Sequence, residues 1–357
     1  MDRSSTIEEE GPLLTFAQLR DNPALLTPET RSPLFHPDHT MTVIWEGEPE
    51  LNEMLCFAEW MEQPVALEHI AGTNLWGGDF PAPPLPSTVC TRIEIGDRTG
   101  PLSSPRHDPD VFGLDLPTTL SLADPVSTLI DDRGLPSPGL VGESRRVRIY
   151  KPNIAPGPLD ALFVLDAQMA VDMVGWFPAI TDTLWQQRRL PPLLIVALDH
   201  AGPDRPSEYV GGEIYNQAGR QWVWDTVLPF VESHHQMRSR WILGTSLGAS
   251  MAIQLVLARP TLFAGGVFLS PWHRMGRSGV FDLVNQWPGG GRFFASNGTF
   301  GRGEEQHCAD TRELVEGLAD RGAQAFYVER EGYGHAFAAW ERILPEGLCW
   351  LFAETKW

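Results

Sequence analysis

The sequence predicts an α/β protein in which a doubly wound, mostly parallel sheet follows a small N-terminal β-sandwich domain. After residue 136, continuous apolar runs alternate with helical segments, which is typical of parallel strands covered on both faces and joined by right-handed crossovers. Before that point, short apolar runs are separated by turn signals, as in a sandwich of short strands. The 31 prolines and 34 glycines among 357 residues favour a loop-rich architecture over a helical bundle.

In the C-terminal half, each apolar run predicts a buried strand. Strands are expected at residues 146–150, 161–165, 193–198, 241–243, 266–269, 292–295 and 325–328. Helices are expected at residues 222–233, 250–258 and 308–320, and Pro260 ends the second of them. Residues 136–357 are therefore predicted to form one α/β domain.

The N-terminal part is predicted to contain two further regions. Residues 1–40 are acidic and rich in proline, which favours an extension rather than a part of the core. Residues 41–135 contain short apolar runs at 42–45, 54–57 and 91–95 and are assigned to the sandwich. Residues 101–142 are rich in Pro, Ser and Asp and are expected to form a linker.

The formal net charge of −19 excludes several classes of partner. Counterion release requires a basic face, so neither nucleic acid nor an anionic membrane is expected to bind. The sequence has no run of about 18 apolar residues, as a membrane-spanning helix would need. Its first ten residues lack the basic and apolar regions of a secretory signal, so a cytoplasmic location is expected.

Residues 244–248, with the sequence G-T-S-L-G, carry the strongest chemical signal. They lie between a short predicted strand and an apolar helix, which is the context of the nucleophile elbow in the α/β-hydrolase fold. Such a turn raises the Ser246 hydroxyl above the sheet, and the Leu247 amide at the helix N-terminus can face a developing oxyanion. We therefore expect Ser246 to be the nucleophile of a serine hydrolase.

A serine is a poor nucleophile without a base, and His335 is the best candidate among ten histidines. It directly follows the last predicted strand, where this fold places its base, and the chain order of serine, acid and histidine is met. His200 and His273 also follow strands and are expected near the pocket.

The acid should follow the strand that ends near residue 296, where three carboxylates are available. Glu304 is the first choice, with Glu305 and Asp310 as alternatives, since either type of carboxylate could orient the imidazole. A dyad without an acid also stays open. A second oxyanion donor is expected from the backbone of Ala167 or Gln168, after an early strand.

Together these motifs resemble the enterochelin (enterobactin) esterase family, within the wider esterase D-like group. The resemblance covers nearly the whole chain after residue 40. The family's L-D-G-Q, R-x-x-E-L, G-x-S-x-G-G and G-G-H-D segments look like residues 165–168, 205–209, 244–249 and 333–336, and Trp340 is similar to a tryptophan that follows the last of these. Residues 72–76 and the Asp108-Pro109 pair resemble its N-terminal sandwich. Ala167, Ala249 and Ala336 depart from the pattern.

The resemblance implies hydrolysis of the ester bonds of a cyclic trilactone siderophore that carries catechols, with release of iron in the cytoplasm. It implies no protein cofactor and no protein-bound metal, because the iron arrives with the substrate. The departures at the three alanines leave the nucleophile and the base in place, but the exact substrate stays open.

A ferric tris-catecholate is anionic, so cations in the pocket must recognise it. Residues that follow strands at the ligand-binding edge of the sheet are predicted to form a cationic and aromatic wall, namely Arg205, Trp272, His273, Arg274 and Arg277. For Arg205, pairing with Glu208 is the alternative. For the whole protein, an esterase or acyltransferase for another aromatic, carbohydrate or peptide-lactone ester stays open, as does a catalytically silent binding protein.

Overall fold

The structure, a computed structural model, describes residues 14–27, 30, 32–36, 38–47, 53–58, 60–83, 93–97, 100–101, 120–153, 157–209, 213–272 and 279–353. The chain divides into two compact units, Met1–Asp115 with Phe300–Arg302, and Leu116–Thr299 with Gly303–Trp357. The domain bounds predicted at residues 40 and 135 stay predictions. Asp108 and Pro109, which carry part of the family resemblance, lie outside the described residues.

The first unit contains a seven-stranded antiparallel sheet with the strand order β1-β2-β5-β4-β3-β6-β7. Its elements are α1 (Phe16–Asp21), β1 (Leu34–Phe35), β2 (Thr40–Glu46), β3 (Met54–Ala58), β4 (Val65–His69), β5 (Leu75–Pro81), β6 (Ile93–Asp97) and β7 (Gly100–Pro101), with a 3₁₀ turn at Pro23–Leu25. A second layer of a sandwich stays a prediction.

Part of the segment predicted as an extension belongs to the core of this unit. Helix α1 begins with a capping box between Thr15 and Gln18, and it buries Phe16 and Leu19 against Ile44 of β2. A Cβ on Gly77 would lie 2.7 Å from the Phe16 ring, so glycine there lets the helix lie on the sheet. A short apolar pair inside a polar segment gave too weak a periodicity to predict this helix.

The second unit contains an eight-stranded sheet with the order β15-β14-β13-β12-β10-β11-β9-β8. Its strands are β8 (Ser127–Pro136), β9 (Ser144–Pro152), β10 (Leu159–Leu165), β11 (Leu193–Leu198), β12 (Met237–Thr245), β13 (Gly265–Leu269), β14 (Arg292–Gly298) and β15 (Gln324–Arg330). Strands β10 to β15 pair in parallel, whereas β9 pairs antiparallel with both β11 and β8.

Helices connect the strands of this sheet. They are α2 (Ala179–Gln186), α3 (Arg205–Tyr209), α4 (Glu213–Trp222), α5 (Leu228–His234), α6 (Leu247–Ala258), α7 (Val280–Asn285), α8 (Glu304–Asp320) and α9 (Phe337–Phe352), with π-helical turns at Gln168–Met173 and Val223–Val227 and a 3₁₀ turn at Gly202–Asp204. The α/β class predicted from the sequence is confirmed, and the doubly wound arrangement stays a prediction. Every strand predicted for this half is present, as β9 to β15.

Two local predictions were wrong. The linker expected at residues 101–142 contains strand β8, which forms a long hairpin with β9. The single helix expected at residues 222–233 is the end of a longer run, in which the π-helical turn Val223–Val227 separates α4 from α5.

The strand order brings distant parts of the chain to one edge of the sheet. Because neighbouring strands β10 to β15 run in parallel, their carboxyl ends meet at this edge, and loops that follow them can share a site. The residues that follow these ends include Asp166, Ser246, Trp272, Glu304 and His335. Among the residues that the structure describes, no helix has both the length and the apolar character required to span a bilayer.

Candidate active site

Ser246 lies on a sharp turn between β12 and α6. Its φ of 54° and ψ of −126° are rare for a residue with a Cβ and cost about 1–3 kcal/mol, so the surrounding contacts must hold the turn. Its amide donates a hydrogen bond to the Leu269 carbonyl at 2.9 Å. A Cβ on Gly244 would overlap the backbone of Gly248, which explains why strand and helix approach so closely here. The local geometry is that of the predicted nucleophile elbow.

His335 reaches Ser246 from the loop between β15 and α9. Its Nε2 lies 2.8 Å from the Ser246 Oγ, which is within hydrogen-bonding distance for proton transfer. The Trp340 ring packs edge-on against the imidazole at a centroid distance of 5.1 Å. The Trp340 indole in turn donates to the Ser270 hydroxyl at 2.9 Å, so the tryptophan is itself fixed.

Glu304 is the carboxylate that the structure brings to His335. It is the first residue of α8, its side chain is 4% exposed, and its Oε1 lies 3.4 Å from Nδ1 of His335. Glu305 is exposed, and Asp310 accepts a hydrogen bond from the Gln306 side chain at 2.6 Å. Of the three candidate acids, only Glu304 is therefore placed to orient the imidazole.

The electrostatic surroundings keep Glu304 charged. Burial alone would raise the pKa of its carboxyl group, but hydrogen bonds and charge interactions with His307 and His335 lower that pKa below the ordinary value. A charged acid is what stabilises an imidazolium during proton transfer.

His307 was not predicted from the sequence. It lies one turn after Glu304 on α8, and its Nδ1 is 3.3 Å from Glu304 Oε1, the same oxygen that faces His335. Its ring also packs edge-on against Trp272 at 6.3 Å. The signal that could have found it is the i, i+3 spacing from Glu304, which places both side chains on one face of a helix. Glu304, His307 and His335 also form a group of metal-ligating side chains in the described part of the chain.

The loop after β10 lies against the elbow and carries the other predicted oxyanion donors. A Cβ on Gly248 would overlap the Asp166 carboxylate, so the Ala167 segment and the start of α6 are in direct contact. The Gln168 side chain accepts from the His200 amide at 2.9 Å and donates to the His200 carbonyl at 3.1 Å. The Leu247 amide is at the first position of α6, where amides have no partner within the helix. The oxyanion roles of these amides stay predictions.

Arg205 forms an ion pair with Asp166. Its guanidinium binds the buried Asp166 carboxylate with both Nε, at 2.8 Å, and Nη2. The predicted alternative partner, Glu208, pairs instead with Arg145 at 2.9 Å, so that alternative was wrong. Burial raises the pKa of the neighbouring Tyr209 hydroxyl well above its ordinary value. Asp166 is a further residue that sequence reasoning missed.

The remaining predicted substrate-binding residues are placed only in part. The Trp272 amide donates to the Ser246 carbonyl at 3.3 Å, which ties the loop after β13 to the elbow. His273, Arg274 and Arg277 lie outside the described residues.

Comparison with known proteins agrees with this architecture. The model of the Esterase family matches residues 137–351, which is more than half of the chain. The chain therefore belongs to the Esterase family.

A curated relative extends the comparison toward a particular group of esterases. The chain is 26% identical over 234 residues to the iron(III) salmochelin esterase of Escherichia coli O6:H1 (strain CFT073), an alignment that covers 58% of this chain. The aligned part spans only 54% of the relative's own length. The resemblance predicted from the sequence is confirmed at the level of the family.

Solved structures share the fold. An enterochelin esterase from Shigella flexneri superposes with a TM-score of 0.69 at 16% identity, covering 93% of this chain and 97% of that one. An enterobactin esterase of the same organism, solved in the presence of enterobactin, superposes with a TM-score of 0.66 at 17% identity over 88% and 93% of the two chains. At these identities the likeness concerns the fold alone.

Proposed function

We propose that this protein is a serine esterase with Ser246 as nucleophile, His335 as general base and acid, and Glu304 as the residue that orients His335. The observation that carries this proposal is the 2.8 Å contact between His335 Nε2 and Ser246 Oγ, with Glu304 behind the imidazole. A serine becomes a nucleophile when an imidazole accepts its proton and a carboxylate orients that imidazole.

The reaction follows from the geometry as a double displacement. His335 takes the proton of Ser246 as its Oγ attacks the ester carbonyl, and backbone amides of Leu247 and of the Ala167–Gln168 segment stabilise the oxyanion. His335 then protonates the leaving alcohol, and Glu304 stabilises the imidazolium in between. Water, deprotonated by His335, attacks the acyl-enzyme in the second half and restores Ser246.

For the substrate we propose a catecholate trilactone siderophore of the enterobactin type, cleaved inside the cell to release its iron. The names of the salmochelin and enterobactin esterases that resemble this chain support the choice. Partly exposed aromatic side chains near His335 support it as well, since Trp272 and His307 pack against each other there and offer aromatic surface to catechol groups.

Recognition of a ferric ligand needs local positive charge in a protein of net charge −19. Because Asp166 occupies Arg205, we assign Arg205 a positioning role and leave Arg274 and Arg277 as the proposed cations. Replacing either of these two arginines with alanine should weaken binding of the ferric ligand more than binding of the iron-free ligand.

Mass spectrometry of reaction products tests the substrate. Wild-type protein and Ser246→Ala are incubated with a catecholate trilactone, with and without iron. The proposal predicts stepwise release of linear trimer, dimer and monomer by the wild type and no release by the variant. If the wild type leaves the trilactone intact yet hydrolyses a simple aryl ester, the serine esterase stands and this substrate is wrong.

A further inference from the structure

One imidazole beside the proposed triad, that of His307, takes no part in the proton transfers of the esterase mechanism. A serine hydrolase needs one imidazole and one carboxylate. Here Glu304 Oε1 faces two imidazoles, with Nδ1 of His335 at 3.4 Å and Nδ1 of His307 at 3.3 Å. The second imidazole therefore suggests that this cluster binds a ligand in addition to its proposed role in catalysis.

The donor set and its spacing fit a zinc ion. Zinc binds imidazole nitrogen and carboxylate oxygen at about 2.0–2.2 Å in a tetrahedron, so two of its ligand atoms lie about 3.3–3.4 Å apart. The two distances from Glu304 Oε1 to the imidazoles have these values. Each of the three residues offers one ligand atom that lies within 4.8 Å of those of the other two, so a tetrahedral site needs side-chain movements of only about 1.5 Å.

Burial and hydrogen bonding favour an ion at this position. The side chain of Glu304 is 4% exposed, and within the described part of the chain its buried Oε2 has no hydrogen-bond partner. A buried carboxylate oxygen without a partner is costly, and a cation would satisfy it. His307 and His335 are 13% and 22% exposed, so the cluster is accessible from the imidazole side.

We propose that Glu304, His307 and His335 form a binding site for a divalent transition-metal ion such as Zn²⁺, and that occupancy of this site stops hydrolysis. The second part rests on the proposed function. The proposed mechanism requires the tautomer in which His335 carries its proton on Nδ1 and accepts from the Ser246 hydroxyl at Nε2, 2.8 Å away.

The loss of activity follows from the tautomer of His335. When the metal binds Nδ1, the proton of the neutral imidazole resides on Nε2, with no proton gained or lost overall. Nε2–H then donates to Ser246 Oγ and can no longer accept the serine proton. Ser246 is left without its base, although every catalytic side chain is still present.

Isothermal titration calorimetry with ZnCl₂ tests the binding site independently of catalysis. We expect one Zn²⁺ per chain in the wild type and in Ser246→Ala, because the serine is not a ligand. His307→Gln keeps a donor to Glu304 but removes the ligating imidazole, and should weaken binding by at least about tenfold. His234→Ala removes an exposed imidazole on α5 and serves as the matched control with unchanged affinity. No zinc binding by the wild type, or equal affinity in His307→Gln, would overturn the site.

Inhibition of aryl-ester hydrolysis tests the second part. Each variant is compared with its own metal-free rate, and a chelator is added at the end. Zinc should inhibit the wild type and His234→Ala at equal concentrations. It should inhibit His307→Gln only at concentrations at least about tenfold higher. In each case the chelator should restore the metal-free rate. Zinc binding without inhibition would overturn this part. A wild type with no esterase activity would contradict the proposed function and leave the calorimetric test of the site intact.

Discussion

The position of Glu304 decides the chemistry of the site at the scale of single residues. Its carboxylate is buried under two imidazoles and is held charged by them. In the proposed mechanism, this charged carboxylate behind Nδ1 of His335 favours the tautomer in which Nε2 accepts the serine proton. The neighbouring acid, Glu305, points to solvent one residue later on the same helix.

Replacing each of these two acids in turn separates their roles. Glu304→Gln should lower kcat by about 10²- to 10⁴-fold, because the amide no longer stabilises the imidazolium. Glu305→Gln is the matched control and should retain the wild-type rate. Steady-state hydrolysis of an aryl ester measures both variants. Equal rates in the two variants would remove Glu304 from the triad.

The stability that Glu304 contributes should depend on pH. Its pKa in the folded protein is lower than the unperturbed value of 4.5, so the ionised carboxylate stabilises the fold above pH 4.5. That contribution is lost as the pH falls through the folded-state pKa. The difference in thermal midpoint between wild type and Glu304→Gln should therefore shrink as the pH is lowered from 7 to below 4.5, in buffers that contain a chelator. A difference that grows toward low pH would contradict the assigned direction of the pKa shift.

Some of these residues are predictable from the sequence and others are not, for physical reasons. Ser246 and His335 stand out because their local contexts, a strand–turn–helix and a loop after the last strand, are visible in the sequence. Glu304 could not be separated from Glu305 and Asp310, because helix phase relative to the imidazole decides between them. Asp166 was missed because a buried carboxylate is recognised by its partner, and Arg205 lies 39 residues away.

At the scale of elements, a buried ion pair joins the loop after β10 to the start of α3, and its arginine also donates to the Thr245 carbonyl beside the elbow at 3.4 Å. Asp166 has a φ of 58° and lies at the end of β10, while Arg205 begins α3. The side chains of the pair are 2% and 14% exposed. Through this pair the segment after Asp166, which carries the proposed oxyanion donors, stays beside the start of α6.

Breaking this pair should affect both stability and rate. Arg205→Ala leaves the Asp166 carboxylate buried and unpaired, which should cost about 3–5 kcal/mol of unfolding free energy and lower kcat more than it raises KM. Urea-induced loss of activity and steady-state kinetics measure the two effects. Arg312→Ala is the control, because it removes an exposed ion pair with Glu329 and should leave the midpoint unchanged. If Arg205→Ala behaved like the control, the pair would not hold the loop.

Strand β8 could not be predicted from the pattern of apolar residues. Its residues are mostly exposed, and it lies at the edge of the sheet, so it lacks the continuous apolar run by which β10 and β11 were predicted. It is a strand because its backbone hydrogen-bonds to β9, and this pairing is not visible in its composition.

At the scale of the whole molecule, the parallel sheet makes the active site possible. Residues from 166 to 335 are far apart along the chain and meet only because β10 to β15 present their carboxyl ends at one edge. The continuous apolar runs predicted those strands, and the chain order of Ser246, Glu304 and His335 agreed with the fold. Only the structure shows that the Glu304 carboxylate contacts two imidazoles, because this contact depends on how α8 packs on β14 and β15.

Covalent labelling with a fluorophosphonate, followed by intact-mass measurement and peptide mapping, tests the central claim most directly. We predict one adduct per chain, located at Ser246, with the labelling rate reduced at least about 100-fold in His335→Ala. Ser207→Ala is the matched serine control and should label like the wild type. An adduct that persists in Ser246→Ala, or a wild type that does not react, would contradict the assignment of Ser246 as the activated nucleophile.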